Sequence, residues 1–288
     1  MSINLTYLKY FFDAARLGSL SASSRANFVT QSAVSQGVLK LEQHFGKKLL
    51  THRRNAIKLT DEGVRLFQNS ARLFRLCDEV RQSVTGEEGN FGNLEFACYY
   101  SVAVSLLPQP IALFQERAPN VKLHFVTGRP EIVLKELKEG RVELGILSDQ
   151  NDFSTFDHEP IHQGYFRIYE SIQRPDKLHI EKCIFSGLRP EVYSLKEQYL
   201  KNYKKTLETH MDVNSWEVLV NLVLSNVGVG LFPDYLAEVP YRKALLRPSN
   251  LRYKPIPYTL SAVWTKGEEL SNNAKTFLHC IREAYRTL

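Results

Sequence analysis

A stretch predicted to be helical from about Thr30 presents one face of short polar and amide side chains, with one cation and no carboxylate. These side chains belong to Ser32, Ser35, Gln36, Lys40 and Gln43. Glutamine pairs with adenine through two hydrogen bonds, serine donates or accepts at base edges, and lysine reaches guanine or phosphate, whereas phosphates repel a carboxylate. The pattern predicts a surface that enters a DNA major groove. The alternative is an ordinary solvated helix face, and the neighbouring elements decide between the two.

Basic residues follow this helix in a segment that is predicted to form two short strands joined by a turn at Asn55-Ala56. They are Lys47, Lys48, His52, Arg53, Arg54 and Lys58. A strand pair with a basic tip beside a DNA-reading helix is typical of a wing. Its cations would neutralise phosphates and supply sequence-independent affinity that falls steeply with salt.

Three helices are predicted ahead of the wing. Leu5, Leu8, Phe12 and Ala15 recur at helical spacing, and Gly18 follows as a helix-ending residue. A short second helix covers residues 22–26, and Asn27 is expected to take the left-handed conformation of the turn. The third helix ends before Gly46, and its apolar stripe consists of Val34, Val38, Leu41 and Phe45.

The excess positive charge is confined to this N-terminal part. Residues 1–60 hold nine Lys and Arg against two Asp and Glu, a net charge of +7, whereas residues 61–90 carry −2 and residues 91–288 carry +1. A chain of 288 residues exceeds what one hydrophobic core usually holds, so we expect about two domains. The basic end fits a polyanionic partner, and the nearly neutral remainder fits a module that contacts small molecules or proteins.

Residues 61–84 contain no proline and carry two apolar stripes at helical spacing. The first consists of Val64, Phe67, Ala71 and Phe74, and the second consists of Leu66, Leu73, Leu76 and Val80. Two stripes require two partners, which we take to be the winged domain and the same helix of a second subunit. The alternative is an internal helix buried on both sides. Residues 85–93 contain three glycines without periodicity and are predicted to form a hinge.

The remaining two thirds alternate short strands with helices. Strand patterns at residues 94–98, 121–125 and 144–147 are separated by helical segments, which predicts a βαβαβ unit with a parallel sheet. Ligands bind beyond the carboxyl ends of such strands. Here those ends are Tyr100-Ser101 and Thr127-Gly128-Arg129.

An ordered, ungapped motif of about sixty residues resembles the winged helix-turn-helix of LysR-type transcriptional regulators. It comprises Val29-Thr30-Gln31-Ser32-Ala33-Val34-Ser35-Gln36, Leu41-Glu42, Phe45-Gly46, Leu49-Leu50 and Leu59-Thr60-Asp61-Glu62-Gly63. Further segments, from Leu106-Leu107-Pro108 to Gly228-Val229-Gly230-Leu231-Phe232-Pro233, are similar to the effector domain of that family. The resemblance implies an N-terminal all-α winged helix-turn-helix with a long linker helix, and a C-terminal α/β two-lobed effector domain of the periplasmic-binding-protein type 2 kind.

The resemblance also implies an organisation. Residues 1–60 are the DNA-binding domain with the helix-turn-helix at about 20–39, residues 61–84 the dimerising linker helix, 85–93 the hinge and 94–288 the effector domain. Lobe I comprises 94–163 and 264–288, and lobe II comprises 164–263. In DNA recognition, Gln31, Ser32, Ser35 and Gln36 would face the groove, with Lys40, Arg53 and Arg54 on the backbone. A homodimer, assembling further into a tetramer, would bind a pseudo-palindromic operator on double-stranded DNA, and RNA polymerase is a further expected partner.

Some positions depart from the family pattern. Ser23-Ser24 replaces the usual Ala-Ala pair, and Asn27 stands where leucine is general. A buried serine must find a hydrogen bond. Gly37 lies inside the recognition helix, where glycine costs about 1 kcal/mol relative to alanine, and Leu39 projects on the groove side. The stretch 165–211 matches the family poorly, and Arg174-Pro175 stands near the place of its usual His-Pro pair.

A small effector is expected in the cleft between the lobes. Helix N-termini and a nearby arginine favour an anion, and a small carboxylate held by Ser101, Thr127 and Arg129 is the hypothesis. Tyr100, Phe185 and Phe232 would form apolar walls. The alternative is that Ser101 only caps a helix and Arg129 is a surface cation.

Other chemistry finds no support in the sequence. The eight histidines include no H-E-x-x-H spacing, so we expect neither a metal nor another cofactor. Ser101 is outside a G-x-S-x-G motif, so we expect no enzyme. Cys98 and Cys183 would sense redox state only if they faced the cleft, and burial is the commoner outcome for cysteine. No apolar run is long enough to cross a bilayer, and we expect a soluble cytoplasmic protein.

Two other readings remain open on the sequence. One is a two-lobed small-molecule-binding protein or enzyme with an unrelated basic extension, which would bind or turn over a ligand without binding an operator. The other is a regulator without a small effector, controlled by a partner protein or by its abundance.

Overall fold

The computed structural model describes residues 2–53, 56–85, 91–174, 182–187 and 189–285. The helices are α1 (Leu5–Leu17), α2 (Leu20–Ala26), α3 (Gln31–Phe45), α4 (Asp61–Thr85), α5 (Tyr100–Ser105), α6 (Pro108–Arg117), α7 (Pro130–Lys138), α8 (Pro190–Tyr203), α9 (Trp216–Leu224), α10 (Pro240–Lys243) and α11 (Asn272–Tyr285). The strands are β1 (Leu50–Arg53), β2 (Ala56–Leu59), β3 (Phe91–Cys98), β4 (Asn120–Thr127), β5 (Leu144–Ser148), β6 (Phe156–Ser171), β7 (Cys183–Phe185), β8 (Thr209–Asp212), β9 (Val229–Pro233), β10 (Leu246–Pro248) and β11 (Ile256–Thr265). A 3-10 helix, Asp234–Leu236, follows β9.

The first three helices begin and end where their capping residues stand. The side chains of Asn4, Ser19 and Thr30 accept hydrogen bonds from the first-turn N–H groups of α1, α2 and α3. Gly18 and Gly46 close α1 and α3 in the left-handed conformation, with φ of 65° and 64°. The predicted helix-ending role of both glycines is confirmed.

The turn inside the helix-turn-helix differs from the prediction. Asn27 has a φ of −103°, and the left-handed residue is Phe28, with a φ of 54°. The amide of Asn27 is held inward instead, because its Nδ2 donates to Asp13 Oδ2 at 2.9 Å and to the carbonyl oxygen of Ser23 at 2.9 Å. These two bonds fix Asn27 in a helical neighbourhood and move the reversal of the chain to the next residue.

The small residues of the helix-turn-helix have packing reasons. Ser23 and Ser24 are buried, and each hydroxyl donates to a backbone oxygen, of Tyr10 and Ser21 respectively, at 2.9 Å. The hydrogen bonds predicted for buried serines are therefore present. A Cβ on Gly37 would lie 2.9 Å from the ring of Tyr10, so glycine lets α1 approach α3 closely.

The two apolar stripes of α4 do not separate as predicted. Phe67 and Ala71 are buried, and Leu66 and Leu73 pack with them against the core of the winged domain, together with Phe74. Of the second stripe, Leu76 and Val80 are exposed at 56% and 54%. The N-terminal half of α4 therefore belongs to the winged domain, and its C-terminal half projects apolar side chains outward. The predicted hinge, 85–93, lies largely outside the described residues, which resume at Phe91.

The C-terminal part is built on one mixed sheet in the order β4-β3-β5-β11-β6-β9-β7-β8, with β10 on β6. The predicted parallel unit is confirmed, since β3 pairs in parallel with both β4 and β5. We use lobe I for β3, β4, β5 and their helices α5, α6, α7 and α11. Lobe II denotes β7, β8, β9 and α8, α9, α10.

Two long strands connect these lobes. The first half of β6 pairs with β11, and residues 166–169 pair with β9. The predicted lobe boundaries at 163/164 and 263/264 fall inside β6 and β11. His158 and His162 both stand on β6. In the part of the chain that the structure describes, no helix combines the length and apolarity that crossing a bilayer requires.

Candidate nucleic-acid interface and ligand cleft

The polar face of α3 is open to solvent along its whole length. Val34, Val38 and Leu41 are buried on the opposite face. Phe45, which was predicted to join them, is 38% exposed and makes an edge contact with His44. The exposed side chains are Gln31, Ser32, Ser35, Gln36, Leu39, Lys40 and Gln43. This face carries no carboxylate, so the structure keeps every predicted groove-facing residue available to DNA.

Two contacts orient ends of this face. Ser21 Oγ donates to Gln31 Oε1 at 2.7 Å, which ties the first residue of α3 to the start of α2. Lys40 Nζ donates to Tyr7 OH at 3.2 Å and lies 5.2 Å from the centre of the Tyr7 ring. Ser21 and Tyr7 were not predicted as site residues. Ser21 lies ten residues before Gln31, and only the packing of α2 on α3 joins them.

The acidic residues of the winged domain point away from the recognition face. Asp13 is buried between Lys9, Arg16 and Asn27. Glu42 accepts from Lys48 Nζ at 2.6 Å and from the backbone N–H of Leu49 at 2.9 Å. Burial acts to raise the pKa of Glu42, but these hydrogen bonds outweigh it and the pKa is lowered. Both carboxylates are thus neutralised inside the domain, and the net positive charge is left outside.

The wing is present as an antiparallel pair in which Leu50 lies opposite Leu59 and Arg53 lies opposite Ala56. Lys58 is exposed on β2. Arg54 and the side chain of Arg53 lie outside the described residues, so their predicted phosphate contacts stay predictions.

A cleft of about 550 Å³ lies between the lobes, at the carboxyl ends of the parallel strands. Lobe I contributes the starts of α5 and α7, and lobe II contributes the starts of α8 and α9. Its lining residues include Tyr99, Tyr100, Ser101, Gly128, Arg129, Ile132, Gln150, Asn151, Phe166, Arg189, Asn214, Ser215, Trp216, Tyr235 and Tyr258.

Of the six side chains predicted for this site, three line the cleft: Tyr100, Ser101 and Arg129. Thr127 ends β4 beside the cleft but does not line it. Phe185 and Phe232 are buried in the core, where Phe232 stacks on Tyr169. The prediction of these two as cleft walls is wrong, because both side chains are fully packed in the core and neither lines the cleft. Phe166 and Trp216 supply the apolar surface instead.

Ser101 is engaged across the cleft. Its Oγ lies 2.8 Å from Tyr235 OH, and both residues are buried. Burial, first of all, raises the pKa of Tyr235, so its hydroxyl stays protonated. Tyr99 supports the adjoining wall, since its OH accepts from Asn151 Nδ2 at 2.7 Å and from the backbone N–H of Ser148 at 3.3 Å. The alternative that Ser101 only caps a helix is wrong, because Tyr99 is the N-cap of α5 and the Ser101 hydroxyl bonds across the cleft to Tyr235.

Arg189 is a cleft residue that the sequence analysis missed. Its guanidinium lies 4.7 Å from the centre of the Trp216 ring, which holds it over an aromatic face. The repeated tripeptide Arg-Pro-Glu, at 129–131 and again at 189–191, was the available signal. Each copy stands at the start of a helix that borders the cleft.

The two cysteines considered as redox sensors do not face the cleft. Cys98 and Cys183 are buried in the core, and burial raises the pKa of each thiol to about 12. Thiols of this kind carry almost no thiolate at neutral pH and are poor nucleophiles. Among the described residues, no group of three or more His, Cys, Asp or Glu is arranged to hold a metal ion.

Two family models match the chain. Residues 5–64 match the bacterial regulatory helix-turn-helix protein of the lysR family, and residues 87–286 match the LysR substrate binding domain. The curated protein named as the probable HTH-type transcriptional regulator LrrA of Synechococcus elongatus is 27% identical over 247 residues, 83% of each chain. Because both halves match one family, the basic segment is not an unrelated extension.

Solved structures share the fold over nearly the whole chain. A full-length OxyR variant from Pseudomonas aeruginosa covers 98% of both chains with a TM-score of 0.71 at 17% identity. Full-length LysG from Corynebacterium glutamicum, with bound effector Arg, covers 98% of this chain and 97% of its own, with a TM-score of 0.65 at 19% identity. The predicted fold class is confirmed, and the regulator names of the relatives agree with the prediction of a non-enzyme.

Proposed function

This chain belongs to the LysR family and is a DNA-binding transcriptional regulator with an effector-binding domain, and from that premise we propose how it acts. It binds an interrupted palindromic operator as a homo-oligomer in the cytoplasm. A small anionic metabolite in the cleft between the lobes changes the arrangement of its DNA-binding domains.

The recognition face of α3 carries the DNA-binding half of this proposal. A net charge of +7 on residues 1–60 surrounds a face on which the exposed side chains are neutral or basic. Gln31 and Gln36 are the readers of base edges, because glutamine offers paired donor and acceptor atoms. Lys40 and the wing arginines Arg53 and Arg54 hold the phosphate backbone and give affinity that depends on salt.

Exposed apolar side chains support assembly with a second copy of the chain. Leu76, Val80 and Val84 project from the C-terminal half of α4, beyond the part that packs on its own winged domain. In lobe I, β4 is the edge strand of the sheet, and its Phe125 and Val126 are 46% and 41% exposed. Two such surfaces on one subunit fit a dimer through α4 that assembles further into a tetramer. A symmetric pair of recognition helices calls for two half-sites about one DNA turn apart.

The cleft between the lobes supports the effector-binding part of the proposal. Arg129 stands at the start of α7 at the mouth of a cavity of about 550 Å³, which suits a small metabolite. A carboxylate beside the guanidinium and the helix N-terminus would be stabilised by both. The Ser101 hydroxyl is already engaged by Tyr235, which limits its hydrogen bonding to an effector. Arg129 is therefore the principal effector-binding residue of lobe I. The structure of LysG from Corynebacterium glutamicum contains bound effector Arg, which supports a small organic effector in this fold.

Contacts of α1 and the linker helix α4 with the effector domain offer a route for coupling. Arg75 of α4 lies 3.5 Å from a carboxylate oxygen of Glu268, and Arg16 of α1 lies 3.5 Å from Glu95. Gln68 of α4 donates to the backbone oxygen of Lys138. A ligand that changes the relative position of the lobes alters these contacts and so changes the affinity for operator DNA. By linkage, operator DNA changes the affinity for the ligand by the same factor. RNA polymerase is the partner through which a bound regulator would act on transcription.

Footprinting with a salt titration tests the DNA-binding half. The DNA upstream of the protein's own gene is probed with full-length protein, and a fragment of scrambled sequence is the control. We expect two protected half-sites that are weakened steeply by salt. Equal protection of both fragments, or none at low salt, would refute the operator proposal.

Sedimentation of the free protein tests assembly, and a monomer at micromolar concentration would contradict the dimer.

A further inference from the structure

The same order of residue types opens onto the cleft from both lobes. In lobe I, Arg129-Pro130-Glu131 begins α7 after β4, and in lobe II, Arg189-Pro190-Glu191 begins α8 after β7. In both helices the arginine is the N-cap residue, proline is the first helical residue, and the N-cap side chain makes no capping hydrogen bond. Each lobe thus presents one guanidinium and one helix start, and both guanidinium groups line one cavity.

Neither guanidinium forms an ion pair within the described residues, although the charge of Arg189 acts to lower the pKa of the nearby Glu191. Arg129 is exposed and makes no ion pair there, and Arg189 contacts the face of Trp216 rather than a carboxylate. Arginine in folded proteins commonly pairs with carboxylates through two parallel hydrogen bonds. Two such groups facing one cavity repel each other, and an anion between them removes the repulsion.

The carboxyl groups around the cleft do not neutralise these arginines. Glu217 is bound by Arg242, which is almost completely buried. Glu191 is 1% exposed, and its Oε2 accepts from Nε2 of the cleft residue Gln150 at 3.2 Å, while its Oε1 is buried without a partner. Burial raises the pKa of Glu191 and favours its neutral form, which can donate a hydrogen bond. Among the described residues that line the cleft, only Glu131 has an exposed carboxyl group.

We infer that the effector carries two anionic groups, as a short dicarboxylate does, one held by Arg129 of lobe I and the other by Arg189 of lobe II. This inference rests on the proposed effector-binding role of the cleft and names the class of ligand. A ligand with an anion at each end contacts both lobes at once. A monoanion satisfies one guanidinium and leaves the other without a partner, so it binds more weakly.

Matched acids test this inference on the full-length protein. Binding of succinate, glutarate and adipate is measured by titration calorimetry beside butyrate, valerate and hexanoate, which have the same chain lengths and one charge. One more charge-assisted pair implies that the best dicarboxylate binds at least about tenfold more tightly than its monoanion. Arg129→Gln and Arg189→Gln are each expected to lower dicarboxylate affinity to the level of the monoanion. 3-Phosphoglycerate, as an extra arm, distinguishes a carboxylate from a phosphate at the second position.

Arg252→Gln is the control variant, since Arg252 is an exposed arginine of the effector domain outside the cleft, and we expect unchanged affinities. Equal binding of dicarboxylates and monoanions overturns the inference, as does the absence of binding by every probe. Tighter binding of free arginine than of any dianion also overturns it. Footprinting of the same preparations distinguishes failure of this inference from failure of the proposed function. A protected operator together with equal binding of all the acids refutes only the inference of a dianionic effector. An unprotected operator refutes the proposed function itself.

Discussion

Ser101 Oγ and Tyr235 OH lie 2.8 Å apart, 134 residues apart in the chain, and their contact joins lobe I to lobe II at the wall of the cleft. Both side chains are buried, so neither hydroxyl exchanges this partner for water without opening the lobes. The hydrogen bond therefore holds the two lobes together on one side of the cleft.

Removal of either hydroxyl should leave the other buried and unsatisfied. We expect Ser101→Ala and Tyr235→Phe each to lower the free energy of unfolding by about 1–2 kcal/mol, and the double variant to lose little more than either single variant. Urea unfolding of the four proteins measures this cycle. Additive losses would show that the two hydroxyls do not interact.

Gln36 should contribute to the choice of base rather than to overall affinity. Gln36→Ala is expected to reduce discrimination between operator and single-base variants by about 1–3 kcal/mol at one position of each half-site. Competition binding against an operator library locates that position. Gln43→Ala, nearer the end of the helix, serves for comparison, and an equal loss on all sequences would contradict the role of Gln36.

Arg54 should act on every DNA sequence alike. We expect Arg54→Gln to weaken operator and random DNA by the same factor and to lower the slope of log affinity against log salt by about one. Filter binding at a series of salt concentrations measures the slope. Lys254→Gln, in the effector domain, should leave it unchanged. A loss restricted to operator DNA would assign Arg54 to base reading instead.

Gly63 should tolerate no side chain. A Cβ there would lie 2.0 Å from the backbone oxygen of Leu49, which cannot move without shifting β1. Overpacking of this kind costs about 1–3 kcal/mol, so Gly63→Ala should lower the thermal midpoint of the winged domain. Asn69→Ala, exposed on the same helix, is the matched control and is expected to change stability by less than about 0.5 kcal/mol.

The buried imidazole of His162 should make the stability of the effector domain depend on pH. Nε2 of His162 lies 3.3 Å from Tyr258 OH, and because that hydroxyl donates its one proton to Asp234 Oδ1, Nε2 is the donor in this contact. Burial lowers the pKa of His162, and the opposing effect of Asp234 does not restore it. Tyr235 and Tyr285 complete its surroundings.

Because the unfolded chain binds a proton at this histidine more readily, stability should rise with pH up to the unfolded pKa, about 6.5. As the pH falls below that value toward the lowered pKa of His162 in the folded protein, this stabilisation is lost. We expect the thermal midpoint of wild type to gain more between pH 5 and pH 7.5 than that of His162→Gln. Parallel pH profiles of the two proteins would show that His162 does not titrate on unfolding.

Much of the N-terminal domain was predictable from residues close in sequence. Thr30 and Gly46 bound α3, and the period of Val34, Val38 and Leu41 assigns its buried face, which leaves the polar face outward. Helix caps and periodicity act within a few residues, so the pattern carries them directly. Phe28 shows the limit of such reasoning: Asn27 suits a left-handed turn, but its bonds to Asp13 and Ser23 moved the turn by one residue.

The cleft was predictable in position and not in composition. Ser101 and Arg129 follow strands of the parallel unit, and topology alone places them at one edge. Phe185 and Phe232 were assigned to the same edge, but β7 and β9 are buried along their whole length and both side chains pack in the core. Arg189 was missed because its relation to Arg129 depends on how lobe II faces lobe I, which no local pattern shows.

The sequence by itself therefore determined the exposed polar face of α3, the segregation of charge and the fold class, because these depend on helical period, capping and composition. The tertiary structure alone decided which side chains share the cleft. Ser101 with Tyr235, and Arg129 with Arg189, are brought together by the crossing of β6 and β11 between the lobes, and a long-range arrangement of that kind leaves no local period in the chain.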